Sequence, residues 1–416
     1  MKKILICLVL LFALCGCGGT TETIEPEKEK ILEASCDKTD IYINEIVTIN
    51  VETNMEIKVN VLNPEILEIK SNQNGEIKLL GIKEGEGEVE ILGEEGINKR
   101  VTVIVKNYPI PSSINLKLQE EGPYYTGEIY HLIYELEPSN ALDNIYLNYN
   151  RNYMTINKDT LEVEFTVAGN FNITLYSYDN MEIESTIQVE VDYNPNVEFY
   201  RLLFVGNSLT QSTNNNYNIP YIVRDMIQAD GVEVICDVNV NGGAAIADQK
   251  YTTESFLRKN RYTHVILQEQ SAGPIKYFEQ FETSVLEIGQ MVKENKAKLV
   301  LYQTWAYNVE MWNWMTKKEM QAKLNEAYYN VAEKVGASVN PAGEAFETFE
   351  AKYGTTPSLY VDMNHASLYG AYLSACVHYA SITGRKASEN KYIMAGIDYK
   401  VMKNIQEIAD EVVFGK

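Results

Sequence analysis

Alternation of apolar and polar residues dominates the first half of the chain. Segments such as IYINEIVTINVET and VNVLNPEILEIK place an apolar side chain at nearly every second position, and Asn-Pro, Asn-Gly and Gly-rich turns separate them. A period of two is typical of a strand with one buried face. Short strands at regular spacing therefore predict an all-β sandwich over residues 31–107, and similar alternation predicts a second sandwich over residues 108–194.

The pattern changes near residue 197, where short apolar strands begin to alternate with helical periods. This order predicts βα units around a mostly parallel sheet, in an α/β domain over residues 197–416. The predicted strands are Arg201–Val205, Val232–Val240, His264–Gln268, Leu299–Gln303 and Ala337–Val339. The predicted helices are Ile219–Ala229, Thr253–Asn260, Phe278–Glu294, Lys317–Val335, Ser367–Thr383 and Asp398–Val413.

The N-terminus carries an export pattern. Two lysines precede an apolar run, Ile4–Leu14, which is shorter than the roughly 20 residues that a membrane-spanning helix needs. The sequence therefore predicts a signal peptide over residues 1–16. The run closes with LCGC, which resembles the lipobox of bacterial lipoproteins and implies lipidation of Cys17, with anchoring to the outer face of the cell membrane. Residues 17–30 are polar and are expected to form a tether, and plain secretion after cleavage is the alternative.

Composition narrows the function. The 416 residues carry a formal net charge of −22, and no basic cluster interrupts it, so a nucleic-acid partner is not expected. The six cysteines lack zinc-site spacing, and the four histidines lie outside any HExxH motif. We therefore predict neither a metal site nor a cofactor. The sequence leaves the oligomeric state open.

Polar groups with catalytic potential follow the predicted strands of the α/β domain. Ser208 comes just after the first strand, NGGA (residues 241–244) after the second and QEQS (residues 268–271) after the third. DMNH (residues 362–365) precedes a helix near the C-terminus. Ligand sites in open α/β sheets lie outside the carboxyl ends of the strands, and a serine needs a nearby base to become a nucleophile.

These four segments together resemble the blocks of SGNH hydrolases, the superfamily that includes GDSL-type esterases, and the likeness covers about half of the chain. GNSLT places Ser208 at the nucleophile position. DMNHAS places His365 as the general base and Asp362 as the group that orients it. The resemblance implies a three-layer α/β fold and ester hydrolysis through a Ser-His-Asp triad.

The resemblance also implies an oxyanion hole. Its donors would be the backbone N–H of Ser208, that of Gly243, with Gly242 as the alternate, and the side-chain amide of Gln270. The third block departs from the family pattern, because members usually carry GxND where this chain has QEQS. Glutamine keeps an N–H donor but adds a methylene, so the hole must be built differently.

Three further residues are expected to contact substrate, namely Asn207, Glu269 and Trp305. A carboxylate beside a developing oxyanion would oppose it, so the Glu269 side chain is expected to point away or toward a substrate hydroxyl. Trp305 belongs to a cluster in which all three tryptophans of the chain lie within ten positions. Their rings suit the apolar faces of sugars, although packing in the core explains them equally well.

The first β-rich segment resembles bacterial immunoglobulin-like domains of group 2, through NPEILEI, NGEIKLLGIKEGEGEVEI and VTVIV. The second is immunoglobulin-like in style only, and either segment could act as a spacer or bind a ligand. Export, spacers and the tryptophan cluster favour removal of acetyl or other short acyl groups from carbohydrate. A lipase or lysophospholipase using the same triad is one alternative, and a non-catalytic glycan-binding surface protein is the other.

Overall fold

The computed structural model describes residues 29–211 and 218–415. The predicted signal peptide, most of the tether and the predicted lipidation site at Cys17 lie outside these ranges. The chain divides into two compact units, Met1–Ser113 with Leu136–Asn144 and Ile114–Glu135 with Ile145–Lys416. Most of the second β-rich segment thus belongs to the same unit as the α/β domain.

The first unit contains two four-stranded sheets. One has the strand order β1-β3-β6-β5 and the other the order β2-β8-β7-β4. Side chains from both sheets, among them Ile49, Leu79, Val89 and Val103, form one buried cluster, which explains the alternation in the sequence. The strands are β1 (Leu32–Cys36), β2 (Asp40–Tyr42), β3 (Ile46–Thr53), β4 (Lys58–Val61), β5 (Leu67–Gln73), β6 (Glu76–Gly81), β7 (Gly85–Leu92) and β8 (Asn98–Lys106).

The second β-rich segment also forms two four-stranded sheets. Their strand orders are β10-β16-β15-β12 and β13-β14-β11-β9. Aromatic side chains fill part of the interior, where the ring of Phe165 stacks on Phe171 at 5.8 Å between centroids. The strands are β9 (Ser113–Leu118), β10 (Tyr124–Tyr125), β11 (Ile129–Glu137), β12 (Ile145–Asn148), β13 (Met154–Ile156), β14 (Glu162–Phe165), β15 (Gly169–Ser177) and β16 (Glu184–Asp192).

The predicted α/β domain with a parallel sheet is confirmed. Five strands lie in the order β18-β17-β19-β20-β23, and all four neighbouring pairs are parallel. The strands are β17 (Phe199–Gly206), β18 (Glu233–Val240), β19 (His264–Leu267), β20 (Lys298–Tyr302) and β23 (Ser338–Asn340). Each lies within two residues of its prediction at both ends. A short hairpin of β21 (Met311–Trp312) and β22 (Met315–Thr316) follows β20 and was not predicted.

Helices cover both faces of this sheet, because its strand β17 is apolar on both sides. Leu202 and Phe204 of β17 pack with helices α1, α6, α7 and α8, whereas Leu203 and Val205 pack with α2, α4 and α5. The helices are α1 (Ile219–Ala229), α2 (Lys250–Lys259), α3 (Gly273–Lys276), α4 (Phe278–Glu294), α5 (Lys317–Val335), α6 (Ala342–Tyr353), α7 (Leu368–Thr383) and α8 (Tyr399–Phe414). Three layers result, as expected, and α3 and α6 were not predicted.

Polar contacts join the second β-rich segment to the α/β domain within their shared unit. The buried Arg261 donates to Glu190 at 2.9 Å, and Lys296 pairs with Asp192 at 2.8 Å. The hydroxyl of Tyr193 donates to the carbonyl oxygen of Arg261 at 2.9 Å. The residues that follow β16 are therefore tied to the base of the sheet.

None of the helices in the described part of the chain is both long enough and apolar enough to cross a membrane.

Candidate active site

The turn after β17 places Ser208 at the carboxyl edge of the sheet, and Gly206 makes that turn possible. A Cβ at Gly206 would meet the Thr210 hydroxyl and would lie 2.6 Å from Oε1 of Gln268. Oε1 of Gln268 in turn accepts from the Asn207 N–H and from the Thr210 hydroxyl, both at 2.9 Å. The buried Gln268 thus fixes the turn, while Ser208 itself stays half-buried and accessible.

Ser208, His365 and Asp362 lie together although 157 positions separate the serine from the histidine. Oγ of Ser208 lies 3.0 Å from Nε2 of His365, and Nδ1 of the same ring lies 2.8 Å from Oδ2 of Asp362. A carboxylate facing Nδ1 holds the proton there, which leaves Nε2 free to accept from the serine. The three predicted catalytic residues therefore form a continuous hydrogen-bonded chain.

The loop that carries Asp362 and His365 is organised by the carboxylate itself. Oδ1 of Asp362 accepts the backbone N–H of Asn364 at 2.9 Å and that of His365 at 2.8 Å. Partial burial alone would raise the pKa of Asp362, but these two N–H donors and the His365 ring together lower it. Asp362 is therefore ionised near neutral pH.

The loop after β20 donates hydrogen bonds to the loop that carries Asp362 and His365, here called the histidine loop. Nε1 of Trp305 donates to the carbonyl oxygen of Asn364 at 2.7 Å, and the N–H of Asn308 donates to the carbonyl oxygen of Met363 at 2.6 Å. Trp305 is 1% exposed and stacks on Phe346 with 4.2 Å between ring centroids. The expected substrate contact by Trp305 is therefore wrong, because its ring is buried in the core and its N–H is used inside the protein.

The glycine segment after β18 forms an exposed turn beside Ser208. The N–H of Ala244 donates to the carbonyl oxygen of Asn241 at 3.1 Å, and Gly243 has a φ of +71°, which favours glycine. The N–H groups of Ser208 and Gly243 make no hydrogen bond within residues 29–211 and 218–415. Both predicted oxyanion donors are consequently available, and Gly242, the alternate, lies in the same exposed turn.

Gln270 is half-buried at the end of β19. Its Nε2 donates to Oγ of Ser271 at 3.2 Å, and its Oε1 accepts the N–H of Ala272 at 3.2 Å. An amide NH₂ group has two hydrogens, and the contact with Ser271 uses one of them. The side chain is thus held in place with one N–H hydrogen left for a ligand, as the predicted oxyanion role requires.

Glu269 points into the protein. Its side chain is buried, with Oε1 accepting the N–H of Gln270 at 2.7 Å and Oε2 accepting the N–H of Ile246 at 3.1 Å. Burial raises the pKa of Glu269 to about 7, against the lowering effect of these two bonds. The expected substrate contact by Glu269 is therefore wrong, because the side chain is buried and both carboxylate oxygens accept hydrogen bonds inside the protein.

Asn207 was expected to contact substrate, but its side chain is also internal. It is 2% exposed, its Nδ2 donates to the carbonyl oxygen of Ala244 at 2.9 Å, and its Oδ1 accepts the N–H of Leu209 at 3.1 Å. The Asn207 bond joins the Ser208 turn to the glycine turn, and the Gln268 bond joins the Ser208 turn to the QEQS segment. The Glu269 bond to Ile246 joins the QEQS segment to the chain that follows the glycine turn. The turn carrying Ser208, the glycine turn and the QEQS segment therefore form one network.

An exposed aromatic ring lies on the hairpin β21–β22. Trp314 is 92% exposed at the tip and has a φ of +63°, which is strained for a bulky side chain. Trp312 packs edge-on against Tyr307 at 5.2 Å, and the Tyr307 hydroxyl lies 2.9 Å from Oγ of Ser271. The hairpin is thus connected to the segment that carries Gln270. The sequence MWNWMT, with Asn at its turn, could have been predicted as a hairpin, and that prediction would have placed Trp314 at its exposed tip.

The two other histidines of the α/β domain lie inside the protein. His264 and His378 are buried, which lowers the pKa of the first to about 4 and of the second to about 3. Over residues 29–211 and 218–415, His, Cys, Asp and Glu side chains form no group of three or more that could hold a metal ion.

No protein-family model and no curated protein matches the sequence. Among solved structures, the chain is similar to a DUF4886 family protein from Bacteroides uniformis, with 20% identity and a TM-score of 0.46 over 52% of this chain and 96% of that one. It is similar to an acetyl xylan esterase, with 14% identity and a TM-score of 0.38 over 43% of this chain and 98% of that one. It is also similar to Axe2, an acetylxylan esterase from Geobacillus stearothermophilus, with 17% identity and a TM-score of 0.37 over 45% of this chain and 95% of that one.

Proposed function

We propose that the chain is a serine ester hydrolase of the SGNH type. The observation that carries this proposal is the hydrogen-bonded chain from Oγ of Ser208 through the ring of His365 to Asp362, with distances of 3.0 and 2.8 Å. A serine hydroxyl is a weak nucleophile unless a base lies within hydrogen-bond reach and is itself oriented by a third group. Both conditions are met at the open carboxyl edge of the sheet.

Catalysis would proceed through an acyl-enzyme. Nε2 of His365 takes the proton of Ser208 while Oγ attacks the acyl carbon of the ester, giving a tetrahedral intermediate. The same imidazolium then returns its proton to the departing alcohol oxygen, and the C–O bond to that oxygen breaks. Water next attacks the acyl carbon, with its proton going to Nε2, and the second collapse releases the acid and restores the Ser208 hydroxyl.

Charge on the substrate oxygen would be met by three donors. These are the backbone N–H groups of Ser208 and Gly243 and the remaining amide hydrogen of Gln270, on three different strand-end segments. Removing one oxyanion donor typically costs about 3 kcal/mol of transition-state stabilisation, or roughly a hundredfold or more in rate. Gln270 is the donor that a side-chain substitution removes, whereas the other two are main-chain groups.

We propose that the natural substrates carry acetyl or other short acyl groups on carbohydrate, and that lipidated Cys17 anchors the enzyme to the outer face of the membrane. The exposed Trp314 ring supports the first part, since it offers a flat apolar surface on a hairpin linked to the Gln270 segment. Sugar rings bind aromatic faces through their apolar C–H surfaces. The export signal and the polar tether support the second part.

A lipase is the second candidate, and exposed apolar side chains favour it. Val361 is 51% exposed and Met363 is 45% exposed, and these two residues flank Asp362. A long acyl chain or a lipid surface could contact them. A substrate panel separates the two candidates, because an enzyme for acylated glycans hydrolyses acetylated oligosaccharides faster than long-chain lipid esters, and a lipase reverses that order.

The proposed activity is tested with p-nitrophenyl acetate. Ser208→Ala and His365→Ala should each lower kcat by a factor of about a thousand or more, because the nucleophile or its base is lost. Ser388→Ala, at a half-buried serine elsewhere in the same domain, is the matched control and should keep wild-type rates. Wild-type activity in Ser208→Ala would refute the proposal.

A further inference from the structure

We propose that Glu269 is a positioning residue that sets the distance between the two segments supplying oxyanion donors. This inference rests on the proposed esterase function. The Glu269 carboxylate accepts one N–H from each segment, that of Gln270 at 2.7 Å and that of Ile246 at 3.1 Å. Gln270 carries the side-chain donor, and Ile246 follows the glycine turn by three positions.

The bridge is short and leaves little freedom. One oxygen of Glu269 holds each side, so the carboxyl group acts as a rigid link between the end of β19 and the helical turn Ile246–Gln249, which follows the glycine turn. That turn is held from its other side too, because Nε2 of Gln249 donates to the carbonyl oxygen of Gly206 at 2.9 Å. Loosening the Glu269 bridge would let Gly243 and Gln270 move apart while Ser208 and His365 stayed in contact.

The surroundings are built to accommodate this carboxylate. A Cβ at Gly273 would lie 2.9 Å from Cγ of Glu269 and 3.0 Å from Oε1, so only glycine leaves room for the side chain as it stands. In the described part of the chain, the pKa of Glu269 responds to burial, to two backbone N–H donors and to Asp248, while Tyr328 also interacts with the carboxylate, and none of these groups is a cation. A buried carboxylate without a cationic partner costs stability, which a merely structural apolar residue would avoid.

The consequence is specific to the transition state. Oxyanion donors have to lie about 2.7–3.1 Å from the position of the developing charge, and small displacements of catalytic groups cost up to a hundredfold in rate. Substrate binding depends far less on those donors. Loss of the bridge should therefore lower kcat and leave KM nearly unchanged.

The test uses Glu269→Gln in the full chain with p-nitrophenyl acetate as substrate at pH 8, where Glu269 is ionised because its pKa is about 7. Glutamine keeps one acceptor oxygen but sets an NH₂ group against the second backbone N–H, so one side of the bridge is lost. We expect kcat to fall by about tenfold to a hundredfold, with KM within about threefold of the wild-type value. Gly273→Ala, which keeps the carboxylate but crowds it, should lower kcat in the same way by a smaller factor.

A boronic acid inhibitor separates positioning from a loss of folded enzyme. Its boron accepts Oγ of Ser208 and becomes tetrahedral, with an oxygen in the oxyanion position, so it mimics the transition state. In Glu269→Gln its inhibition constant should rise by the factor by which kcat/KM falls. A variant that only folds poorly would lower the maximal rate without weakening inhibition of the molecules that remain active, and that result would overturn the proposal.

Two controls keep this inference distinct from the proposed function. Glu287→Gln removes the same charge from an exposed glutamate of α4 and should keep wild-type kcat and wild-type inhibition. Ser208→Ala in the same assay tests the esterase activity itself. If hydrolysis depends on Ser208 and Glu269→Gln has unchanged kcat, the positioning role is refuted while the esterase proposal stands. If Ser208→Ala has wild-type activity, both proposals fail.

Discussion

Replacing Glu269 by glutamine should change how the stability of the α/β domain depends on pH. In the folded protein burial raises the pKa of Glu269 to about 7, whereas an unfolded chain restores the ordinary value of 4.5. Between these two values the folded state binds more protons than the unfolded state, so the free energy of unfolding falls as pH rises. The contribution of the protonated group is fully present below about pH 4.5 and is lost as pH rises past about 7.

The magnitude follows from the separation of the two pKa values. Each unit of separation is worth about 1.4 kcal/mol, and most of the window lies between pH 5 and pH 8. Wild-type protein should therefore lose about 2–3 kcal/mol of unfolding free energy over that interval because of Glu269 alone. The Gln variant should lack this loss. Asp248 and Tyr328 also interact with the carboxylate, and this interaction is already contained in the pKa of about 7.

Tryptophan fluorescence during urea denaturation provides the assay. All three tryptophans, Trp305, Trp312 and Trp314, lie in the α/β domain, so the signal reports that domain rather than the β-rich segments. The free energy of unfolding is measured for both proteins at pH 5 and pH 8, and the variant-minus-wild-type difference is compared between the two pH values. That difference should become more favourable to the variant by about 2–3 kcal/mol at pH 8. If the variant-minus-wild-type difference in unfolding free energy is the same at pH 5 and pH 8, the conclusion that burial raises the pKa of Glu269 is refuted.

Two further substitutions test the neighbouring aromatic residues. Trp305→Phe removes the Nε1 donor to the carbonyl oxygen of Asn364, so we expect kcat to fall about tenfold as the histidine loop loosens, while Trp312→Phe should have little effect; equal rates for both variants would contradict this role. Trp314→Ala should raise KM for acetylated oligosaccharides about tenfold and leave p-nitrophenyl acetate hydrolysis and the urea midpoint unchanged. A parallel loss on both substrates would show that Trp314 is not a sugar contact.

The α/β half of the fold could be predicted well from the sequence. Strand β17 is apolar at every position from Leu202 to Val205, and three helices, α1, α4 and α5, were predicted with the bounds observed. Helix α6 was not predicted, although Ala342, Ala345, Phe346 and Phe349 have the spacing of a helical apolar face. Helix α6 could therefore have been predicted from its sequence, whereas the four-residue α3 is too short to show a helical periodicity.

The candidate site was predictable as a set of segments but not as a set of side-chain directions. The sequence placed Ser208, Asp362 and His365 at strand and helix ends, and the structure brings these three together. The sequence did not decide whether Glu269 and Trp305 turn inward, and it did not predict that Asn207 does, because each lies in a segment that follows an apolar strand. Their orientation depends on tertiary partners such as Ala244, Ile246 and Asn364, which lie far away in the chain.

The polar contacts at the base of the sheet affect where the chain could be shortened. Beginning the polypeptide at β17 would discard Glu190, Asp192 and Tyr193, and with them the carboxylate that faces the buried Arg261. Because the Glu190 side chain is half-exposed, its ion pair with Arg261 contributes about 1 kcal/mol or less, and the Lys296–Asp192 pair contributes a similar amount. A shortened chain that reaches back through the second β-rich segment should therefore be more stable than one that begins at β17.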